Sequence, residues 1–409
     1  MTKLRSINQD DLRNHNLSVV MDTLLRSTSF LSRAELAKAT GLTKATMSLL
    51  VPLLIDGGVV KEGEPSSLPS NGRPSTPLML AGGRLCGIGM QVNTDGFGCM
   101  ALDINGDKVG EEWESQPMSS VDPGDIFSRL DSMLASLQGT LDDRGYQVTG
   151  SGLALPGLVT DDGRLMAARN LGWERLDLDE FPVVRRLSPK AGNEANFAAL
   201  AQIPGYATRR TSGGIVGPTD SFIYISTDVG IGGALVRDGH VVYGDHGFAG
   251  ELGHVSVDID GPLCHCGRHG CLETYAGRKA LVKSAGIASG DQSARIEAVD
   301  ELIKRWNAGD EASMTTVDMA VEAMASVVAS AVNILDVDTV VLGGIWEKFG
   351  GGLARRIEDR SRTQVLGYPE SQVHVLLPDR TMRPALWGAA EIGLRAFIDN
   401  PLEYLTARS

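Results

Sequence analysis

Three cysteines within eight residues constrain this chain more than any other feature of its sequence. Cys264, Cys266 and Cys271 lie in the glycine-containing segment Cys-His-Cys-Gly-Arg-His-Gly-Cys. Thiolates that share one short loop can converge on a tetrahedral ion, and a shell without an open position is typical of structural rather than hydrolytic zinc. The alternative is a surface loop with three reduced thiols, but clustered exposed thiols oxidise readily. The segment therefore predicts a structural zinc site.

The spacing leaves the fourth zinc ligand open. His254 lies ten residues before the cluster, and His265 and His269 lie within it. The other two cysteines, Cys86 and Cys99, are in apolar segments and are expected to be core residues. An odd total of five cysteines with metal-ligand spacing favours a reducing compartment. No apolar run reaches the roughly 18 residues of a membrane helix, so we expect a cytoplasmic protein without a membrane partner.

Charge is distributed unevenly along the chain. The 409 residues carry a net charge of −13, which disfavours nucleic-acid binding by the chain as a whole. Residues 1–80, however, contain nine Lys or Arg and seven Asp or Glu, so this part is slightly positive. Such asymmetry indicates a small N-terminal domain with a partner of its own. At about 150 residues per domain, the length predicts two or three domains.

Helix and turn signals in this N-terminal part follow the order of a winged helix-turn-helix. The order is a helix over residues 12–25, a capping box at Ser32–Glu35 that opens a second helix, a turn at Gly41, an N-cap at Thr43 that opens a third helix, and two wing strands at residues 59–62 and 78–80. Pro52 falls inside the third helix, where it removes a hydrogen bond, so we expect a kink or a break there. The alternative is a three-helix unit that mediates protein contacts.

A winged helix-turn-helix predicts which side chains reach DNA. The N-terminal residues of its recognition helix contact base edges in the major groove, and here these residues are Lys44, Ala45, Thr46 and Ser48. Hydroxyl groups can hydrogen-bond bases or phosphates, and the alanine methyl can contact a thymine methyl. Arg73, flanked by Gly and Pro in the wing loop, is expected to enter a narrow minor groove. The predicted partner is double-stranded operator DNA.

Beyond residue 80, strands alternate with helices, which is typical of an α/β architecture with mixed sheets. The predicted strands cover residues 85–92, 97–104, 152–155, 222–226 and 339–342, and the predicted helices cover residues 126–141, 316–335 and 384–398. Two such halves that face each other would place ligands at the carboxyl ends of their strands.

Several polar residues around the cysteine cluster are unusual for a protein core. Glu251 and His254 precede the cluster, Glu273 follows it, and Asn193–Asn196 supplies amides and a further carboxylate. Carboxylates and amides that converge on one pocket suit the many hydroxyls of a sugar. Each residue alone is as well explained by a solvated charge or a helix cap, so the prediction depends on their convergence.

Two motifs closely resemble the signature of the ROK family, whose name covers repressors, open reading frames and sugar kinases. Gly250–His254 reads Gly-Glu-Leu-Gly-His, and Cys264–Glu273 reads Cys-x-Cys-Gly-x-x-Gly-Cys-Leu-Glu. Further segments that match the family are Pro156–Val159, Asn170–Trp173 and Val341–Gly344. The resemblance covers residues 80–400. With the winged helix in front, the chain is similar to the branch of xylose repressors and N-acetylglucosamine repressors.

The resemblance implies an α/β fold in which a winged helix-turn-helix precedes a two-lobed, actin-like sugar-kinase domain of ribonuclease H-like topology. The implied boundaries are residues 1–80 for the DNA-binding domain, 81–193 with 382–409 for the first lobe, and 194–381 for the second lobe. The second lobe would carry the zinc loop and the oligomer interface. A homodimer or homotetramer would place two recognition helices on a palindromic operator.

The resemblance also implies roles for single residues. One structural zinc ion per chain would be held by His254, Cys264, Cys266 and Cys271. Sugar contacts would come from Asn170, Asn193, Glu194, Glu251, His254 and Glu273. The second ring nitrogen of His254 would face the sugar. A ring oriented by both metal and ligand would couple the zinc loop to the pocket.

The phosphate-binding segments depart from those of the family's kinases. Where the kinases carry Asp-x-Gly-Gly-Thr, residues 91–95 read Gln-Val-Asn-Thr-Asp, and without those glycines backbone amides cannot approach a phosphate closely. In the second phosphate loop, residues 227–233, Asp228 adds a negative charge. Glu194 stands at the position of the catalytic Asp and is one methylene longer.

These departures favour one of two functions. The expected function is a sugar-responsive repressor, not an enzyme, that leaves its operator when a sugar or sugar phosphate binds. The alternative is an ATP-dependent sugar kinase of the ROK family with an appended DNA-binding domain. Residues 204–220 match the family poorly, and we expect them to form a loop near the cleft.

Overall fold

Fourteen helices and sixteen strands make up the described part of the computed structural model, which covers residues 8–64, 76–160, 162–209, 214–379 and 382–405. The helices are α1 Gln9–Arg26, α2 Arg33–Thr40, α3 Lys44–Asp56, α4 Pro123–Asp143, α5 Pro182–Leu187, α6 Glu194–Leu200, α7 Glu273–Ala276, α8 Arg278–Ser284, α9 Ile296–Asn307, α10 Glu311–Leu335, α11 Trp346–Phe349, α12 Gly351–Arg362, α13 Pro384–Asp399 and α14 Pro401–Leu405. The strands are β1 Leu31–Ser32, β2 Val60–Glu62, β3 Pro77–Leu80, β4 Leu85–Asn93, β5 Gly96–Asp103, β6 Lys108–Ser115, β7 Gln147–Leu155, β8 Leu158–Val159, β9 Leu165–Ala168, β10 Trp173–Leu176, β11 Lys190–Asn193, β12 Phe222–Thr227, β13 Ile231–Arg237, β14 His240–Val242, β15 Thr339–Gly344 and β16 His374–Leu376.

The N-terminal helices begin and end where their capping residues predict. Ser32 and Glu35 form a reciprocal capping box at the start of α2, and Gly41 ends α2 in the left-handed conformation, with φ of 73°. The side chain of Thr43 accepts a hydrogen bond from the backbone N–H of Thr46 and caps α3. Strands β1, β3 and β2 then form a small antiparallel sheet. The predicted winged helix-turn-helix order is confirmed, and β1 is an addition that the sequence pattern did not predict.

The sequence predicted a kink or a break at Pro52, and of these the break is wrong. Helix α3 continues through Pro52 to Asp56. Its buried residues lie on both sides of the proline, so packing keeps the chain helical on both sides of it. The proline removes the hydrogen-bond partner of the Ser48 carbonyl, but Ser48 is exposed, and water can replace that partner.

Two five-stranded sheets with the same strand order form the body of the protein. The first has the order β11-β7-β4-β5-β6, and the second has the order β16-β15-β12-β13-β14. In each sheet the first three strands are parallel, and the last two pair antiparallel with their neighbours. This mixed α/β arrangement, repeated twice, is the predicted two-lobed topology.

Helix α13 packs directly onto the first sheet through glycines in that sheet. A Cβ atom at Gly87 would overlap the carbonyl of Ala390, and one at Gly89 would overlap the carbonyl of Leu386. Close approach of a helix to strand β4 therefore requires glycine at both positions. This contact accounts for part of the high glycine content, 49 residues of 409.

The apolar core of the winged helix-turn-helix continues into the first lobe. One cluster of buried side chains contains Leu17 and Met21 of α1 together with Leu394 and Phe397 of α13. No layer of solvent separates these side chains, so α1 is anchored to the helix that covers the first sheet. The winged helix-turn-helix is thereby packed onto the first lobe.

Helix α10 is long and apolar enough to cross a membrane by length and composition, although the sequence predicted no membrane helix. In its most apolar window, 61% of the residues are buried inside the fold. Its buried face packs in the core of the second lobe with residues of β12 and β15. A buried position of this kind is typical of the central helix of a globular domain.

Residues 204–220 were expected to form a loop near the cleft, and their described part lies beside the C-terminal end of α1. Pro204, Gly214 and Pro218 instead line a small cavity with the C-terminal end of α1. The backbone N–H of Ile215 donates to Asp379 at 2.9 Å. This segment connects α1 to the second lobe.

Candidate functional site

A cavity of about 580 Å³ lies between the two sheets. Residues at the carboxyl ends of four strands line it, namely Gln91 of β4, Asn193 of β11, Ser226 of β12 and Gly344 of β15. Ligands of open α/β sheets bind at this edge, outside the carboxyl ends of the strands. The cavity is therefore the candidate ligand site.

All six predicted sugar contacts line this one cavity. They are Asn170, Asn193, Glu194, Glu251, His254 and Glu273. They come from separate parts of the chain, including the turn after β9, the end of β11 and the start of α7. If each of these residues were only a solvated charge or a helix cap, there would be no reason for all six to line one cavity.

Asn193 and Glu273 are held by hydrogen bonds to the backbone. Asn193 caps α6 by accepting from the N–H of Ala195 at 2.7 Å, and its amide donates to the carbonyl of Gly157 at 2.8 Å. Glu273 accepts from the backbone N–H of Ile231 at 3.0 Å. These bonds fix the two side chains in place before any ligand binds.

His265 is a pocket residue that sequence reasoning placed only among possible zinc ligands. Its Nδ1 lies 3.1 Å from a carboxylate oxygen of Glu273. The hydrogen bond to Glu273 raises the pKa of His265 above its usual value. His254, His265 and Glu273 also form a group with metal-ligand spacing. We interpret the His265–Glu273 contact as a hydrogen bond that orients Glu273.

Glu194 and Gln91 meet at the bottom of the cavity. The amide nitrogen of Gln91 donates to Glu194 at 3.2 Å. Burial, together with the negative charge of Asp228, raises the pKa of Glu194 to about 8. Among the described residues, the amide oxygen of Gln91 is buried without a hydrogen-bond partner. Buried polar atoms are usually hydrogen-bonded, so the unpartnered oxygen of Gln91 is an exception to be explained.

Arg278 joins the two phosphate loops, and sequence reasoning missed it. Its side chain is fully buried, and its two terminal nitrogens donate to the carboxylate of Asp95 at 3.0 and 2.8 Å. A carboxylate oxygen of Asp228 lies 3.9 Å away. Two acidic departures in loops that are far apart in sequence were the signal for a compensating cation, because like charges that the fold brings together are stabilised by an opposite charge between them.

The cysteine loop and His254 bring four potential metal donors within 4.8 Å of one another. The sulfur atoms of Cys266 and Cys271 are 3.6 Å apart, and the sulfur of Cys264 lies 3.7 Å from Nδ1 of His254. Zinc with bonds of about 2.3 Å to sulfur and about 2.0 Å to nitrogen requires ligand atoms about 3.5–3.8 Å apart. The four donors therefore fit one zinc ion.

Motif glycines shape this loop. Gly267 and Gly270 have φ of 92° and 63°. A Cβ atom at Gly270 would overlap the carbonyl of Asp258. Glycine at these positions allows the chain to fold back so that the cysteines before and after the turn face one another.

The two ring nitrogens of His254 face different sites. Nδ1 points to the cysteines, whereas Nε2 lies 4.0 Å from a carboxylate oxygen of Glu251 in the cavity. Burial lowers the pKa of His254, which favours the neutral ring that binds metals. His265 binds Glu273, and His269 contacts the carbonyl of Gly261 at 3.0 Å. Of the three candidate histidines, the geometry favours His254 as the fourth ligand.

The predicted DNA contacts lie at the start of α3. Lys44, Ala45 and Ser48 are exposed there. Thr46 is half-buried, and its hydroxyl lies 2.9 Å from that of Thr43. Arg73 lies outside the described residues, so its predicted role in the minor groove stays a prediction.

Comparison with known proteins decides the family. The ROK family pattern matches residues 89–395. The chain belongs to the ROK family. A xylose repressor of Bacillus subtilis is 31% identical over 280 residues, which cover 68% of this chain and 69% of that protein.

Two solved structures show the fold of this ROK protein. A ROK family transcriptional regulator, described as a homologue of the E. coli MLC protein, has a TM-score of 0.77 at 21% identity and covers 97% of this chain and 100% of its own. A ROK family glucokinase from Streptomyces griseus, in complex with glucose and AMPPNP, has a TM-score of 0.59 at 23% identity and covers 75% and 98%. The regulator thus aligns along nearly the whole chain, whereas the kinase leaves a quarter of it unmatched.

Proposed function

We propose that this ROK protein is a sugar-responsive, DNA-binding transcriptional repressor that a sugar releases from its operator. Two features of the same chain support the proposal. A winged helix-turn-helix packs onto a two-lobed domain. The cleft of that domain is lined by the six polar side chains that are predicted to contact a sugar. The xylose repressor relative supports it. Like other repressors of this kind, the protein would act in the cytoplasm.

The proposed mechanism couples the cleft to the recognition helices. A sugar that binds between the lobes changes the angle between them, and α1 transmits this change because its core is continuous with α13. A homodimer or homotetramer would present two copies of α3 to a palindromic operator. A preference of about 100-fold for the DNA-free state supplies about 2.7 kcal/mol for release.

The proposed zinc ion is structural, one per chain, and is held by His254, Cys264, Cys266 and Cys271. It would fix the loop that carries His254 and Glu273 into the cleft. The four protein donors fill a tetrahedral shell and leave no position for a reacting water.

We propose further that the kinase activity of other family members is absent. The alternative, an ATP-dependent sugar kinase with a DNA-binding domain, has support from the glucokinase structure with the same fold. Such a kinase would have to bind the phosphates of ATP at two loops that carry Asp95 and Asp228. These carboxylates already contact Arg278, so this cation is not available to the phosphates. Sugar-dependent ADP release in the presence of magnesium would favour the kinase.

The test is fluorescence anisotropy on DNA from upstream of the protein's own gene, at fixed salt, with sugars added. Tight binding that one sugar weakens is the expected result. Glu251→Gln should bind the same DNA normally and lose the response to the sugar, whereas the exposed control Glu370→Gln should keep it. A normal response in Glu251→Gln would contradict the assigned pocket, and sequence-independent binding would contradict the repressor.

A further inference from the structure

We infer that the effector of this cleft is an uncharged, unphosphorylated sugar, because the loops that bind phosphate in a kinase are filled here by the protein's own charges. This inference rests on the proposed function and names the class of its effector. It excludes sugar phosphates, which the family resemblance left open.

Four carboxylates line the inner part of the cavity. They are Asp95, Glu194, Asp228 and Glu347. Burial raises the pKa of Glu347 to about 7, and Asp228 contributes to this shift as it does at Glu194. The shifts indicate that these groups are close enough to repel one another. Because a pKa of about 8 leaves Glu194 protonated at pH 7, the repulsion of a phosphate group of nearly two negative charges comes mainly from Asp95 and Asp228.

Three of the four positive side chains around the cavity, counted among the described residues, are paired with carboxylates, whereas the exposed Arg169 contacts a backbone carbonyl. Arg278 is buried in its contact with Asp95. The Arg and Lys residues that line the cavity, within the described ranges, are Arg169, Lys348 and Arg383. Arg169 donates to the carbonyl of His265, Lys348 pairs with Asp300 at 2.6 Å, and Arg383 pairs with Glu111 at 2.6 Å. A phosphate would have to break one of these contacts to gain a cation.

Backbone N–H groups in the two segments that correspond to the phosphate loops of the kinases, residues 91–95 and 227–233, already donate hydrogen bonds within the protein. Asp95 donates to the side chain of Asn93 at 2.9 Å, and Asp228 donates to the carbonyl of Gly230 at 2.9 Å. At the end of the second loop, Ile231 donates to Glu273. Phosphate binding by such loops depends on several free N–H groups that point at one anion. Here these three are committed to acceptors within the protein.

One unpartnered atom points to the ligand that does fit. The side chain of Gln91 is 4% exposed and lines the cavity. Its nitrogen donates to a carboxyl oxygen of Glu194, and its oxygen is the atom left without a donor. A sugar hydroxyl can donate to that oxygen. A phosphate dianion has no hydrogen to donate, so a sugar phosphate can satisfy this oxygen only through its remaining hydroxyl groups.

The experiment compares matched pairs on the full-length protein. Calorimetry measures the Kd of glucose, mannose and N-acetylglucosamine beside their 6-phosphates, with xylose as a sugar that has no sixth carbon. We expect at least one unphosphorylated sugar to bind, and any 6-phosphate to bind at least tenfold more weakly than its parent, which is about 1.4 kcal/mol. The same ligands are added to the operator complex to measure release.

A charge variant tests the reason for the discrimination. Asp228→Asn removes one carboxylate and leaves the Arg278–Asp95 pair in place. The ratio of the two Kd values should fall several-fold in this variant and stay unchanged in Glu370→Gln. A 6-phosphate that binds as tightly as its parent overturns the inference but leaves the repressor function intact. Absence of binding by every unphosphorylated sugar overturns the inference and the sugar effector together, while operator binding is judged separately.

Discussion

Asp22 of α1 and Arg395 of α13 form an ion pair of 2.7 Å that connects the DNA-binding unit to the first lobe. Asp22 also accepts from Arg26 at 2.8 Å, and Arg26 in turn donates to the carbonyl of Pro218 in the segment before β12. One short relay of side chains on α1 therefore contacts both lobes. Any change in the angle between the lobes must displace α1 relative to at least one of them.

Removal of this relay should weaken the coupling between sugar and DNA. In Asp22→Ala, we expect an unchanged Kd for the sugar, a several-fold smaller effect of the sugar on operator affinity, and a loss of about 1 kcal/mol in stability, since both partners are partly exposed. Asp10→Ala, an exposed aspartate of the same helix, is the control. Calorimetry, anisotropy and urea unfolding measure the three quantities. A full response to the sugar in Asp22→Ala would show that the relay does not transmit it.

Stability should fall as the pH rises through the range set by Glu194. The native protein keeps the proton of Glu194 up to about pH 8, whereas the unfolded chain releases it near 4.5. Between these values the native state binds more protons, so the free energy of unfolding decreases with pH. In Glu194→Gln the decrease from pH 6 to pH 9 should be smaller by about 2–3 kcal/mol, since about two pH units of the range lie between the two pKa values. Urea unfolding at both pH values measures it, and equal decreases in variant and wild type would refute the buried proton.

Metal content tests the zinc loop. Purified wild-type protein should contain about one zinc ion per chain, and Cys266→Ala should contain almost none and unfold at lower temperature. Cys99→Ala is the matched control, because Cys99 is buried in β5 away from the loop. Inductively coupled plasma mass spectrometry and thermal unfolding give the two readouts. A Cys266→Ala protein with a full complement of zinc would contradict the assigned ligand set.

Salt dependence tests the recognition helix. Lys44 is exposed at the start of α3, where a phosphate or base edge would lie. Lys44→Ala should weaken operator binding about tenfold and, if the contact is to phosphate, lower the slope of log K against log salt by about 1. Lys304→Ala, a lysine of α9 with 80% of its side chain exposed, should change neither. Anisotropy titrations at several salt concentrations measure both effects.

Most of the predictions from the sequence that are confirmed depend on residues close together in the chain. The capping box at Ser32, the turn at Gly41 and the N-cap at Thr43 depend on neighbours within four residues, and all three are confirmed. The spacing of the cysteines likewise encodes one loop. The break expected at Pro52 failed because apolar packing on both sides of the proline outweighs one lost hydrogen bond.

Long-range contacts account for what was missed. Arg278 and Asp95 are 183 residues apart in sequence, and Asp22 and Arg395 are 373 apart, so no local pattern relates the partners. The identical strand order of the two sheets left no fixed repeat in the sequence, because topology constrains burial rather than residue identity. The role of His265 was hidden by its place among the cysteines, where it was considered only as a zinc ligand.

The two-sided ring of His254 has a consequence for regulation. If one imidazole orients the effector only while its other nitrogen binds zinc, then sugar alone does not release the operator. Release of the operator then requires both sugar and zinc. Lack of zinc has the same effect on transcription as lack of sugar. A gene under this control would stay silent in sugar-rich, zinc-poor medium and respond once zinc is restored.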